Sequence, residues 1–330
     1  MQTRILGKTG RTVSVIGLGT WQLGADWGEL TEGDADAILS AAVEAGITFF
    51  DTADVYGDGR SEKFIGGYLE HQTRVGLTVA TKIGRRAAQL PENYVLENFR
   101  AWVDRSRRNL ASETLDLVQL HCPPTAVIES GEVYDALDTL VDEGAIAAYG
   151  VSVETCDQAL AAMQRPGVAT VQIILNAFRL KPLDQVLPTA RTAGVGIIAR
   201  VPLASGLLSG RYTRETHFAA TDHRSFNRDG SAFDVGETFS GVDYETGLQA
   251  ANRFSELVAA EDPALTPAQA ALAWVAQLDG VSSVIPGARS VAQAEANAAA
   301  GSLPQLSARF TQGVHDIYDS MLRADIHDRW

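Results

Sequence analysis

FFDTADVYGDGRSE, residues 49–62, runs two phenylalanines straight into a carboxylate, Asp51, and then reaches a second carboxylate, Asp54, and a tyrosine, Tyr56. The run that opens it, ITFF from position 47, is apolar at nearly every position, as a strand buried on both faces is. A strand that ends abruptly on polar groups belongs in a parallel sheet whose loops carry the chemistry.

Seven further runs have the same character: VSVIGLG (13–19), GLTVAT (76–81), LDLVQL (115–120), IAAYGVS (146–152), ATVQIIL (169–175), VGIIAR (195–200) and VSSVIP (281–286). Segments of helical periodicity separate them. One begins near Asp34 and stops at Gly46; others are SEKFIGGYLE (61–70), residues 92–110, EVYDALDTLVDEG (132–144) and ETCDQALAAM (154–163). Eight strand and helix alternations predict an α/β fold, a (β/α)8 TIM barrel with residues 1–330 as a single barrel domain. Three additions are expected. LGKTG (6–10) reads as the turn of an N-terminal β-hairpin, residues 203–244 as a long loop after strand seven, and 305–324 as a C-terminal helical extension. The competing open sheet would show G-x-G-x-x-G after its first strand, but Gly17 and Gly19 are followed by Gln22 where the third glycine belongs. GKTG is no phosphate loop either, because Gln2 occupies the leading glycine position.

Composition narrows the function. The chain has 330 residues, 45% hydrophobic, and a formal charge of -14, so its surface repels nucleic-acid backbones and anionic lipid. Neither class of partner is expected. Two cysteines, Cys122 and Cys156, make no disulfide framework, no secretory leader pattern opens the sequence, and no run reaches membrane-spanning length. These features predict a cytoplasmic protein. No motif encodes its oligomeric state.

Four polar residues sit just past strands two, three and four: Asp51, Tyr56, Lys82 and His121. Each alone has an ordinary reading, as a turn former, a packed ring, a surface ammonium or a core imidazole. Neighbouring strands would bring all four to one rim. A phenol of ordinary pKa about 10 is a poor acid unless its anion is stabilised. A nearby ammonium would lower it, Asp51 would keep Lys82 charged, and a neutral His121 could orient a substrate oxygen. Such a cluster protonates an oxygen but supplies no hydride, so it needs a cofactor. Lys82 as a Schiff-base nucleophile is disfavoured by the adjacent Asp51, and Asp51 with His121 as metal ligands by the cation beside them; no metal is expected.

These residues, with GLGTWQLG, TKIGRR, DLVQLH, YGVS, PLASGLLSG and IPGARS, resemble the aldo-keto reductases, NAD(P)H-dependent barrel enzymes without a Rossmann fold. The resemblance implies a catalytic tetrad of Asp51, Tyr56, Lys82 and His121, with Tyr56 the general acid in reduction of an aldehyde or ketone. It implies NADPH/NADP+ as cofactor, NADH fitting less well, and a small carbonyl compound as substrate. A non-catalytic nicotinamide-binding subunit, as in the channel-associated branch, is the alternative. Ser152 and Gln172 match positions that hold the nicotinamide carboxamide, although Val153 stands where many members have Asn. The backbone around Leu203, Ser205, Gly206, Leu208 and Gly210 matches the loop over the pyrophosphate. Gly287, Arg289, Ser290, Gln293 and Asn297 match the region binding the adenosine 2'-phosphate and adenine, and the fork of Arg289 suits phosphate. Arg200 replaces an aromatic that stacks on the nicotinamide; it either stacks there itself, disfavouring the cationic oxidised ring, or pairs with an acidic group. Trp21 and Trp27 are candidate walls of the substrate pocket, Asp54 a loop hydrogen-bonding residue, and Cys122 lacks a base that would make it a nucleophile.

Overall fold

A computed structural model of the chain describes residues 1–24, 30–71, 76–220, 222–228, 230–232 and 236–330. Among the described residues ten strands are present: β1 (Thr3–Ile5), β2 (Thr12–Ser14), β3 (Leu18–Gly19), β4 (Phe49–Asp51), β5 (Thr78–Ile83), β6 (Leu117–His121), β7 (Tyr149–Ser152), β8 (Val168–Ile174), β9 (Gly196–Arg200) and β10 (Val281–Val284). β3 to β10 form one parallel sheet in sequential order. Its ends meet. Gly17 N donates to Val284 O at 2.8 Å, Val284 N to Val15 O at 2.9 Å and Gly19 N to Pro286 O at 3.0 Å, which closes the curled sheet into a barrel. The run VSVIGLG is thus shared between two structures: its start is an arm of the hairpin, its end the short β3. Gly17 and Gly19 lie against Phe49 and Ile285, where a Cβ would come within 2.9 Å of their atoms, so the backbone rather than side chains makes that seam.

The alternation along β4 answers the question its sequence poses. Phe49 belongs to a small apolar cluster with Ala80, Leu117 and Ile198 from β5, β6 and β9, so it points into the barrel. Phe50 points the other way, into the large cluster under the helices, with its ring 6.4 Å from Tyr68 of the helix Arg60–His71. Asp51 then faces inward again, one layer above Phe49. The same step of two carries Ala80 to Lys82, Leu117 to Gln119 and His121, and Ile198 to Arg200. Each of these four strands therefore supplies an apolar lower layer and a polar upper one.

The hairpin of β1 and β2, joined through Gly7–Thr9, lies against the amino ends of β8 and β9 and contributes Leu6 and Val13 to the inner cluster. The helices start on local signals. Thr31 and Asp34 form a capping box at Glu32–Glu44, as Thr155 with Gln158 and Thr266 with Gln269 do at Cys156–Met163 and Pro267–Gln277. The long stretch after β9 holds short helical pieces, Ala204–Ser209, His223–Phe226 and Thr238–Gly241, before the helix Tyr244–Glu261. The tail forms Ala308–Met321, which packs Phe310 on Phe254 at 5.9 Å, and ends with Trp330 stacked 3.7 Å from the guanidinium of Arg179. Among the described residues no helix is long and apolar enough to cross a membrane.

Gly7 has φ +51, and a Cβ there would fall 2.1 Å from Ala169 O; Gly10 has φ +67 with open space around it. Gly7→Ala should therefore lower unfolding free energy by roughly 2–4 kcal/mol through strain plus displacement of β8, and Gly10→Ala by only about 1–2 kcal/mol. Urea denaturation of the two variants checks this; equal losses would mean that the hairpin is not seated on the barrel.

Candidate active site

The carboxyl ends of β4, β5 and β6, adjacent in the sheet, bring four side chains together. Lys82 Nζ donates to Asp51 Oδ1 at 2.5 Å, to the Thr52 carbonyl at 2.9 Å and to the Tyr56 hydroxyl at 3.2 Å. All three ammonium protons are directed. Lys82 is 1% and Asp51 2% exposed, so the ammonium is an interior group and not a rim lysine. The Tyr56 ring meets His121 edge to face with centroids 6.0 Å apart, and Trp21 lies nearly parallel to it at 6.3 Å.

Burial pulls the Lys82 ammonium down, but the attraction of Asp51 and then Tyr56 outweighs it and holds Lys82 above its ordinary value. Lys82 lowers the Tyr56 pKa as the sequence reading expects, but it is not the largest influence. Burial raises it first, Lys82 pulls it back, and Asp51 raises it again, leaving the phenol above its ordinary value. Tyr56 is held as a protonated donor. Asp51 itself is saturated. Its Oδ2 accepts from Gln119 Nε2 at 3.0 Å and from Gln172 Nε2 at 2.8 Å.

A cavity of about 330 Å³ begins at Asp51 and Tyr56 and runs along Trp21, Gln172, Arg200, Leu203, Ser205 and Gly206 to Gly287, Arg289 and Gln293. Its far wall is backbone under strain: Val201, Ala204 and Ser205 have φ of +52, +48 and +54, and Gly206 +99. Other expected cofactor residues do not line the cavity. Ser152 faces Cys122, Oγ to Sγ 3.4 Å; Leu208 is fully buried; Gly210 abuts Pro267; and Asn297 donates to Gly287 O at 3.1 Å. Ser290 is the N-cap of Val291–Ala299, and Gln293 Oε1 accepts from Arg289 N at 2.8 Å. Trp27 lies outside the described residues.

Arg200 pairs with an acidic group, but one from the long loop rather than from the barrel, and it also lines the cavity. Its guanidinium pairs with Glu237, an acidic group supplied by the long loop, and also reaches Val153 O at 3.2 Å and Cys122 Sγ at 3.6 Å. Its charge is therefore matched before any ring arrives. Glu237, Tyr212, His223 and Arg224 all line the cavity without a sequence signal to announce them. His223 packs 5.0 Å from Trp21, and burial, opposed by Asp222, pushes its pKa down to about 4. Gln119 was also missed, although it stands two residues before His121 on the same strand face. A second cavity, about 680 Å³ and more open, starts at Cys122 and is lined by Arg85, Gln89, Thr125, Glu154 and Gln158.

Asp54 hydrogen-bonds in the loop as expected, but through its backbone and not its carboxylate. Its backbone N donates to Lys82 O at 3.1 Å and its carbonyl accepts from Arg105 at 3.1 Å, but both carboxylate oxygens are buried with no partner among the described residues. Burial and then the neighbouring Glu62 push it up to about 7, against Arg86, Arg105 and Lys82. With the folded value above the unfolded one, the folded state binds the extra proton between about pH 4 and 7, so stability falls across that window. Asp54→Asn should raise the thermal midpoint at pH 8, by the equivalent of roughly 2–4 kcal/mol, and give little gain at pH 4. Melting curves at the two pH values test this; a gain independent of pH would place the charged form comfortably in the fold.

Comparison with known proteins agrees with this geometry. The family model described as Aldo/keto reductase family matches residues 15–319. An uncharacterized oxidoreductase of Mycobacterium tuberculosis is 34% identical over 316 residues, covering 92% of this chain and 89% of its own. The aldo-keto reductase YhdN of Bacillus subtilis is 30% identical, covering 90% and 87%. Among solved structures, a glycerol dehydrogenase from Gluconobacter oxydans superposes with a TM-score of 0.79 at 29% identity, covering 97% of this chain and 95% of that one. This chain belongs to the aldo/keto reductase family.

Proposed function

We propose that this oxidoreductase reduces the carbonyl of a small, polar aldehyde or ketone with NADPH, Tyr56 delivering the proton. The observation that carries the reading is the contact of Tyr56 Oη with Lys82 Nζ at 3.2 Å, with Lys82 anchored on Asp51. The residues present fit a dinucleotide: a cleft runs from the tetrad past glycine-rich strained backbone to the Arg289 guanidinium, which favours a phosphorylated ribose. A related structure from Klebsiella pneumoniae, 25% identical, is titled as a complex with NADP and acetate, which supports the same choice. When bound, the reduced nicotinamide supplies the hydride to the carbonyl carbon.

The chain's own residues handle the oxygen. As negative charge develops there, Tyr56 donates its phenolic proton, and Lys82 stabilises the tyrosinate left behind. His121, edge-on to Tyr56, orients the carbonyl toward that hydroxyl. Burial of Lys82 between Asp51 and Thr52 O keeps its charge fixed, so no solvent rearrangement accompanies the transfer. The same arrangement works against a Schiff-base role, because the amine stays protonated. Residues 1–330 act in this reading as one barrel unit in the cytoplasm, which the two free, buried cysteines support.

A second branch of relatives includes a probable voltage-gated potassium channel subunit beta from Arabidopsis thaliana, 28% identical over 90% of this chain. The complete Tyr56, Lys82 and Asp51 array favours turnover instead. Tyr56→Phe should reduce carbonyl reduction by about 10²–10⁴-fold while NADPH affinity stays within about threefold. Steady-state rates beside cofactor-fluorescence titration decide it, and a loss under tenfold would remove Tyr56 as the donor. Cofactor binding without turnover of any carbonyl in the unmodified protein would select the regulatory reading.

The cavity that begins at Cys122, the residue after His121, is lined by the polar side chains of Arg85, Gln89, Thr125, Glu154 and Gln158, which suits a substrate carrying hydroxyls. Glyceraldehyde should therefore exceed propanal in kcat/KM by about tenfold, since a polar wall offers hydroxyls hydrogen bonds that propanal does not make. A preference for propanal or benzaldehyde would contradict this substrate class. The names of two relatives, an L-galactose dehydrogenase from Arabidopsis thaliana and the glycerol dehydrogenase, point the same way.

A further inference from the structure

Asp51 Oδ1 holds Lys82, and its other oxygen is met inside the barrel. Two amides meet it there. Gln119 Nε2 donates at 3.0 Å and Gln172 Nε2 at 2.8 Å, and Gln172 Nε2 also lies 3.2 Å from Gln119 Oε1. Gln119 is completely buried and Gln172 1% exposed. The two glutamines come from β6 and β8, with β7 between them. They meet because the β7 residue in register with Gln119 is Gly150, which presents no side chain; a Cβ there would fall 2.1 Å from Thr170 Oγ1.

A carboxylate this deep needs its charge met on both oxygens. The amides direct partial positive charge at Asp51 and fix its plane, which aims Oδ1 at Lys82 and leaves Lys82 in reach of Tyr56. Gln172 additionally lines the cofactor cleft. We propose that Gln119 is a positioning residue for proton transfer, setting the orientation and effective charge of Asp51 and so the hold of Lys82 on Tyr56, with Gln172 coupling this network to the cofactor cleft. The proposal rests on Tyr56 as the proton donor. Tyr56 faces Lys82 from β5, Asp51 from β4, Glu237 from the long loop and the His121 ring from β6. Of these, Asp51 is the group that Gln119 touches.

The sign follows from charge. With an amide removed, more of the Asp51 charge reaches Tyr56, and its phenol becomes harder to ionise. The test is the pH dependence of kcat for alcohol oxidation, which needs the tyrosinate, in full-length Gln119→Met with NADP+. Its rising limb should move up by roughly half to one pH unit, so kcat on that limb falls about three- to tenfold. NADP+ affinity should stay within about twofold, because Gln119 does not line the cleft. Gln119→Glu, which adds a second carboxylate, should move the limb further, and Gln172→Met should change both limb and affinity. A limb unmoved in Gln119→Met overturns the proposal. Should that variant fail to fold, Gln119→Glu decides alone, and a limb unmoved or lowered overturns it. Tyr56→Phe as a control separates the two failures: turnover surviving in it contradicts the donor assignment rather than the role of Gln119.

Discussion

A lysine and an aspartate placed inside a barrel at 1% and 2% exposure are the constraint around which this molecule is arranged. Removing either charge from water costs several kcal/mol, and the pair is tolerable only where every remaining polar valence is met. The structure meets them with particular groups: Thr52 O and Tyr56 Oη for Lys82, Gln119 and Gln172 for Asp51. Such a buried pair is poor evidence for stability and good evidence for chemistry. What it provides is a fixed positive charge beside a phenol, in surroundings where solvent cannot dilute it.

The barrel makes that placement possible through the two-residue period of its strands. One layer of apolar residues, Phe49, Ala80, Leu117 and Ile198, seals the interior beneath the charges. The next inward layer is Asp51, Lys82, Gln119 and Arg200. Below, the hairpin closes the amino end with Leu6 and Val13. Above, the long segment after β9 carries Glu237 back onto Arg200, and Trp330 stacks on Arg179 beside Gly236 and Gly241 of the same segment. The charged layer is thus enclosed from both ends.

The repeated apolar runs made the barrel legible in the sequence, because strands buried on both faces leave continuous hydrophobic patterns. The first was misjudged in extent: VSVIGLG looks like one strand, but the chain turns from hairpin to barrel inside it, and periodicity does not register such a corner. Asp51, Lys82 and His121 were legible as polar residues closing apolar runs, and they prove to be strand residues at the carboxyl ends of β4, β5 and β6, with Tyr56 in the loop after β4. Gln119 was recoverable from the alternation with Leu117 and His121, yet an amide within an apolar run reads as an oddity rather than a partner. Glu237, His223 and Arg224 were not legible, since their positions depend on how an irregular segment folds over the mouth. The lowering of the Tyr56 pKa by Lys82 was legible, but burial, which sequence does not supply, outweighs it and leaves the phenol raised overall.

The central claim is that the charge of Lys82 is what lets Tyr56 release its proton. It is tested most directly by the single-turnover rate of NADPH oxidation in Lys82→Met, mixed with saturating aldehyde after cofactor fluorescence has established the folded, NADPH-binding fraction. The account requires that rate to fall by at least about 10²-fold per bound cofactor. A rate within tenfold of the unmodified enzyme would contradict it.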